Sequence, residues 1–222
     1  IRFGIRQKGL KVPVATVITQ VVVDPEDPDF RSPSKPVGPF YTKPQAEELA
    51  DTKGYLVREV KPGTEKGWRR VVPSPMPQDI LEKTAIRTLA GAGLLVVASG
   101  GGGVPVKAEQ DDEYVGLDAV IDKDRAAVLL AELVEADRFV ILTDVPNVLL
   151  NYNTPEERSL ERVSVEEMDG YVKEGHFLAG SMGPKVEAAL RFAKETGKIA
   201  TITSLENARD GLLEKTGTQI VP

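Results

Sequence analysis

The apolar positions of this chain fall in blocks. "VPVATVITQVVVD", residues 12–24, is β-branched and almost wholly apolar, the pattern of a strand buried on both faces. Before it, residues 2–9 read as the tail of a helix stopped at Gly9. After it the pattern breaks. Prolines at positions 25, 28, 33, 36, 39, 44, 62, 73 and 75 interrupt residues 25–75, which read as an irregular or β-rich excursion with one helix near 43–53. Residues 78–92 return to helical spacing, with Leu81, Ala85, Thr88 and Ala92 on one face and Gly91 and Gly93 at the end.

From residue 94 the blocks alternate regularly. A strand over 94–98 leads into four glycines. Segments 104–108 and 114–120 flank the acidic turn "EQDDE" and predict a hairpin. A helix over 124–136, a strand over 138–143, a helix from Pro184 to Gly197, a strand over 198–203, a short helix over 205–213 and a strand over 216–221 complete the chain. Strands alternating with helices predict an α/β domain with a mainly parallel sheet.

Length and composition narrow the chemistry. The 222 residues suit one large domain or two small ones, and 41% hydrophobic with 28% charged residues suits a globular protein with a sizeable core. No apolar run is long enough to span a bilayer, and no signal peptide is visible. The expected partners therefore include no membrane, and cytoplasmic residence is the default expectation. Cysteine is absent and His176 is the one histidine, so thiol chemistry, a Ser-His-Asp triad and a multi-histidine metal site are set aside. The expected metal-ligand set is none. A net charge of −6 argues against a nucleic-acid partner. Clustered lysines could still serve a small anion.

Three segments offer that chemistry. In "VASGGGGVPV", Gly100 to Gly103 follow a strand, where ligands bind open α/β sheets and glycines let backbone N–H groups approach phosphate. The run is neither a Walker A loop nor a Rossmann fingerprint, and taken alone it reads first as a tight turn. In "AVIDKDRAA", an aspartate at the helix start complements the helix dipole, but Lys123 there does not. In "AGSMGPK", Gly180, Ser181 and Gly183 open a helix at Pro184-Lys185, a ready anion site with a second lysine. His176, in "EGHFLAG", reads as a core or supporting residue. "LTDVPNVLLNY" (142–152) and "KTGTQIVP" (215–222) could each be ordinary connections.

In this order, "VATVITQVVVD", "KPVGPFY", "GWRRVVPSP", "VVASGGGGVPV", "AVIDKDRAA", "VILTDV", "EGHFLAGSMGPKVEAA" and "KTGTQIVP" resemble the amino acid kinase superfamily, and within it the carbamate kinase family. The resemblance runs over nearly the whole chain. It implies a three-layer α-β-α sandwich with a small protruding subdomain at residues 25–72, between the remainder of an N-terminal lobe (1–24) and a C-terminal nucleotide-binding lobe (73–222). It implies the reversible reaction ATP + carbamate = ADP + carbamoyl phosphate with Mg²⁺, in arginine catabolism, by a homodimer. Carried over residue by residue, it makes Lys123 and Lys185 the cations on the transferred phosphoryl group and Asp124 the carboxylate that orients them. Lys35 becomes the subdomain lysine that closes over the site. Gly100, Gly101, Gly102 and Gly103 would line the phosphate and carbamate side. Asp144, Val145, Tyr152, Gly180, Ser181, Met182, Gly183 and Pro184 would hold the nucleotide. Phosphoryl transfer needs positioning and charge compensation rather than covalent catalysis, so this residue inventory suffices.

The family's opening strand and its Gly-Gly-Asn-Ala loop have no counterpart here, and the chain opens at Ile1 inside a helical pattern. A longer parent chain is expected, because a sheet without its central strands exposes an apolar edge. The competing readings are a nucleotide-binding or dimerisation module without turnover, and another amino acid kinase acting on a carboxylate or a phosphate, such as acetylglutamate or UMP.

Overall fold

The computed structural model describes residues 1–177 and 182–222. The chain forms two compact units, residues 1–82 with 93–123, and residues 83–92 with 124–222.

In the first unit, α1 (Arg2–Gln7) ends at Gly9, whose φ of 71° turns the chain. The apolar run that follows is two strands rather than one. β1 (Val14–Thr16) and β2 (Gln20–Val23) lie in different sheets. The break has a hydrogen-bonding cause. Val17 N–H still donates to the Val97 carbonyl, but the Thr19 carbonyl already accepts from Val104 N–H, so the run divides its bonds between two partners. In β2, Val21 and Val23 are buried while Gln20 and Val22 are only half-buried.

The proline-rich segment carries α2 (Pro28–Arg31), β3 (Lys35–Tyr41), α3 (Lys43–Lys53), β4 (Val57–Glu59) and β5 (Trp68–Val72). The three strands form an antiparallel sheet in the order β3-β5-β4. Helix α3 matches its expected bounds because both ends are written locally. Thr42 and Gln45 close a capping box, Pro44 sits in the first turn, and Gly54 ends it in the left-handed region. Two carboxylates tie the outgoing and returning chain together. Asp27 accepts from Met76 N–H at 2.9 Å, and Asp29 accepts from Ser74 N–H at 2.5 Å.

The chain returns as β6 (Pro77–Ile80), antiparallel to β2. This corrects the helix expected over 78–92. Residues 77–80 complete the edge of β2, and Ile80 is fully buried there. β7 (Leu95–Val97) pairs parallel with β1. β8 (Val104–Ala108) pairs parallel with β2 and forms the expected hairpin with β9 (Tyr114–Gly116).

The second unit begins with α4 (Lys83–Gly91), the shortened remainder of that helix. Its buried residue is Ile86, with Leu89 half-buried, whereas Ala85, Thr88 and Ala92 are exposed. The expected face was therefore wrong, since the small residues share the helical spacing but bury little apolar area. Next come α5 (Lys123–Leu133), β10 (Phe139–Thr143), β11 (Leu149–Leu150), β12 (Arg158–Ser159), β13 (Arg162–Ser164), α6 (Val165–Lys173), α7 (Gly183–Thr196), β14 (Ala200–Ser204), α8 (Ala208–Leu212) and β15 (Thr218–Val221). The main sheet runs β10-β14-β15-β13, with β10/β14 and β13/β15 parallel and β14/β15 antiparallel. Its core joins Phe139, Ile141, Ile202 and Ile220 to Met168 of α6 and to Val186 and Phe192 of α7. The Phe139 and Phe192 rings lie 5.3 Å apart.

Candidate active site

In the first unit the two halves of the glycine run differ in their surroundings. A Cβ on Gly102 would lie 2.2 Å from the Ile121 carbonyl oxygen, and one on Gly103 would lie 2.6 Å from Val21 Cγ2. Their φ angles are 100° and 107°. These two glycines are required by the chain's own packing. Gly100 and Gly101 face open space, with nothing within 4 Å of an added Cβ. The loop enters through Ser99, itself at φ 53°, and Gly102 N–H donates back to the Ser99 carbonyl at 2.9 Å. A side chain would therefore find room only in the first half of the run.

Lys35, the first residue of β3, donates to and ion-pairs with the Asp122 carboxylate. The Asp122 side chain is 6% exposed and that of Lys35 33%. Asp122 was not among the expected site residues. Its signal was present in "IDKD", where a second aspartate has no need to cap the helix.

In the second unit, Lys185 lies in the first turn of α7 and Asp124 in the first turn of α5. Lys185 Nζ donates to Asp124 Oδ2 at 2.9 Å, and both side chains are nearly buried. Helix α7 starts Gly183-Pro184 with no acidic residue in its first turn, and Met182 supplies no side-chain cap. A cation there opposes the helix dipole, and Asp124 offsets it. Lys123, the first residue of α5, is exposed.

A cavity of about 190 Å³ opens beside this start of α7. Asp144, Val145, Asn147, Leu149, Tyr152, His176, Phe177 and Met182 line it. Four of the expected nucleotide residues, Asp144, Val145, Tyr152 and Met182, thus share one wall system, and Gly183 and Pro184 follow Met182 directly. Gly180 and Ser181 lie outside the described residues. Asn147, Leu149, His176 and Phe177 were missed by the sequence reading. His176 is a wall residue rather than a core one. It hydrogen-bonds Glu174 at 3.0 Å and sits edge-on to Tyr171 at 5.8 Å. The lining is chiefly apolar with a few polar groups, the make-up of a site for a small organic molecule.

Comparison with known proteins bears on this geometry. The amino acid kinase family model matches residues 38–204. The chain is 50% identical over 220 residues to carbamate kinase of Trichomonas vaginalis, covering 99% of this chain and 69% of that protein. The chain belongs to the amino acid kinase family, among its carbamate kinases. Carbamate kinase of Pyrococcus horikoshii is 52% identical over 222 residues, again with 69% of that protein covered. Among solved structures, carbamate kinase from Giardia lamblia bound to citric acid superposes with a TM-score of 0.89 at 44% identity, covering 99% of this chain and 68% of that one. The Giardia enzyme bound to AMP-PNP gives 0.85 at 45% identity. This chain therefore spans about two thirds of the length of its relatives.

Proposed function

We propose that the chain catalyses ATP + carbamate = ADP + carbamoyl phosphate. The observation that carries this reading is the Lys185–Asp124 pair at the start of α7, three residues from a cavity wall formed by Met182. In the ATP-forming direction a β-phosphate oxygen of ADP attacks the phosphorus of carbamoyl phosphate. The bond from phosphorus to the carbamate oxygen breaks, and carbamate leaves with the electron pair. Negative charge spreads over the transferring oxygens, and point-charge ammonium groups compensate it.

Lys123 and Lys185 are assigned to that charge, and Lys35 to closure over the substrates. Asp124 accepts a hydrogen bond from Lys185 and so holds the ammonium group in place. Gly100, Gly101, Gly102 and Gly103 are assigned to the phosphate and carbamate side, and the space open beside Gly100 and Gly101 supports that reading. The adenine and ribose are assigned to the cavity of Asp144, Val145, Tyr152 and Met182.

Among the described residues no group of three or more His, Asp or Glu side chains could hold a metal ion. Mg²⁺, which the resemblance implies, would be carried chiefly by the nucleotide's phosphates and water, its usual mode with such substrates. The resemblance also supports a cytoplasmic homodimer working in arginine catabolism. The net charge of −6 supports a chain that binds no nucleic acid. Among the described residues no helix is long and apolar enough to cross a membrane.

The test is ATP formation from ADP, Mg²⁺ and carbamoyl phosphate, with acetylglutamate and UMP screened against ATP in parallel. ATP formed by the wild type and lost in Lys185→Ala is expected. ADP binding without turnover would convert the reading to a nucleotide-binding module.

A further inference from the structure

The motif "KTGTQIVP" has no role in the reaction as assigned, yet its Thr218 is among the most buried polar groups of the described residues. Thr218 is fully buried and opens β15. Gly217 brings it there. Its φ is 91°, and a Cβ would lie 2.8 Å from both the Ile202 carbonyl oxygen and Thr203 Cβ, so β15 lies directly on β14.

From that position the Thr218 hydroxyl reaches the hairpin that builds the cavity wall. The hairpin pairs Leu149 with Ser159 and Leu150 with Arg158, so the next pair in register is Val148 with Leu160. Leu160 N–H donates to the Val148 carbonyl at 2.9 Å, as the ladder requires. The reciprocal bond is replaced. Val148 N–H donates to Thr218 Oγ1 at 2.8 Å, and Thr218 Oγ1 donates to the Leu160 carbonyl at 2.5 Å. The hydroxyl is spliced into the end of the ladder as donor and acceptor at once. The same Leu160 carbonyl also accepts from Asn147 Nδ2 at 2.9 Å. Asn147 and Leu149, on either side of Val148, both line the cavity. Val148 and Leu160 are buried, so no solvent stands ready to replace the hydroxyl.

We infer that Thr218 is a positioning residue for the nucleotide: its hydroxyl holds the Val148–Leu160 pair open and so sets the placement of Asn147 and Leu149 on the cavity wall. The inference rests on the assignment of this cavity to ADP. Without the hydroxyl, either the buried Val148 N–H loses its partner and the Leu160 carbonyl keeps only Asn147, or the ladder closes on itself and carries Asn147 with it. Both outcomes move the wall and leave the lysines untouched.

The experiment compares Thr218→Val, which keeps the shape and removes the hydroxyl, with Thr218→Ser, which keeps it. The Val variant is expected to raise KM for ADP about tenfold, the factor that about 1.4 kcal/mol commands, leaving KM for carbamoyl phosphate and kcat within about twofold. The Ser variant is expected to match wild type. Amide exchange at Val148 gives a mutation-free reading: protection in the wild-type chain supports the inference, and exchange as fast as an exposed loop amide overturns it. An unchanged KM for ADP in the Val variant, or an equal rise in the Ser variant, also overturns it while leaving the kinase assignment standing. A wild-type chain that makes ATP but whose ADP site is blocked by no substitution in this cavity would overturn the inference alone. One that neither binds ADP nor turns over would overturn both.

Discussion

Lys185 and Asp124, 61 residues apart in sequence, meet at 2.9 Å and join the first turns of α7 and α5. Their side chains are 13% and 11% exposed. A near-buried pair of this kind adds little net stability against an apolar pair, but breaking it from one side takes that partner away from a near-buried charge. Lys185→Ala is expected to lower stability by up to about 3 kcal/mol and to reduce turnover on the order of 10²–10³-fold, as removal of one preorganised charge-stabilising group does. The double variant Lys185→Met/Asp124→Asn separates the two effects. Thermal unfolding should recover towards wild type while turnover stays lost. Activity within a few-fold of wild type in either variant would refute the assigned role. Lys123→Ala is expected to lose turnover by a similar factor.

The two halves of the glycine run make opposite predictions. Gly102→Ala places a methyl 2.2 Å from the Ile121 carbonyl oxygen at a φ of 100°. Its cost should be on the order of 3 kcal/mol or more, seen as a large drop in the denaturation midpoint. Gly100→Ala meets open space, and its stability change should stay below about 1 kcal/mol. Its kcat/KM for carbamoyl phosphate should nonetheless fall, because the methyl occupies the face assigned to substrate. A stable Gly100→Ala variant with unchanged kinetics would remove Gly100 from the site.

Asp169 on α6 supplies a pH signature. Hydrogen bonds from Lys173, one turn on, and from Lys194 of α7 hold its carboxyl pKa down at about 2. The folded value lies below the ordinary carboxylate value of about 3.9 expected in the unfolded chain. The folded state therefore binds this proton less readily. The stabilisation is complete above the unfolded value and is lost as pH falls from there through about 2. Melting temperatures of wild type and Asp169→Asn should differ at neutral pH and converge as pH approaches 2. Parallel curves down to that pH would show that the lysine contacts do not hold in solution.

How far the fold was legible depended on where the information sits. Helix α3 was readable because Thr42, Pro44 and Gly54 write its ends locally. The same kind of signal, Ser164 and Glu167 in a capping box, marks the start of α6, where it went unused. Residues 12–24 could not be divided from sequence. Their apolar pattern is continuous, and the break at Val17–Thr19 comes from which distant segment shares each bond, Val97 accepting from Val17 and Val104 donating to Thr19. Residues 77–80 became a strand for the same reason, since β2 needed an edge partner. In the candidate site, Lys123 and Lys185 stood out as lysines at helix starts, whereas Lys35, Asp124, Asp144 and Tyr152 took their roles only from the family resemblance. Asn147, Leu149, His176 and Phe177 emerged from neither, because loop residues lining a cavity follow no period and are brought together only by the chain's return.

The cavity assignment can be tested independently of the lysines. Val145 is half-buried on its wall and belongs to the loop after β10. Val145→Trp places an indole into a space of about 190 Å³. No hydrogen bond of the Lys185–Asp124 pair is disturbed, and the core beneath β10 is untouched. ADP affinity by titration calorimetry should fall at least about tenfold, a loss of about 1.4 kcal/mol. The melting temperature should shift by no more than a surface substitution causes, within about 0.5 kcal/mol of wild type. KM for carbamoyl phosphate should be unchanged, because that substrate is assigned to the glycine loop and the lysines. If the indole instead raised KM for carbamoyl phosphate and left ADP binding intact, the two substrates would have to exchange places. The cavity between Asp144 and Met182 would then hold the small anion, and the open half of the glycine run would have to serve the nucleotide.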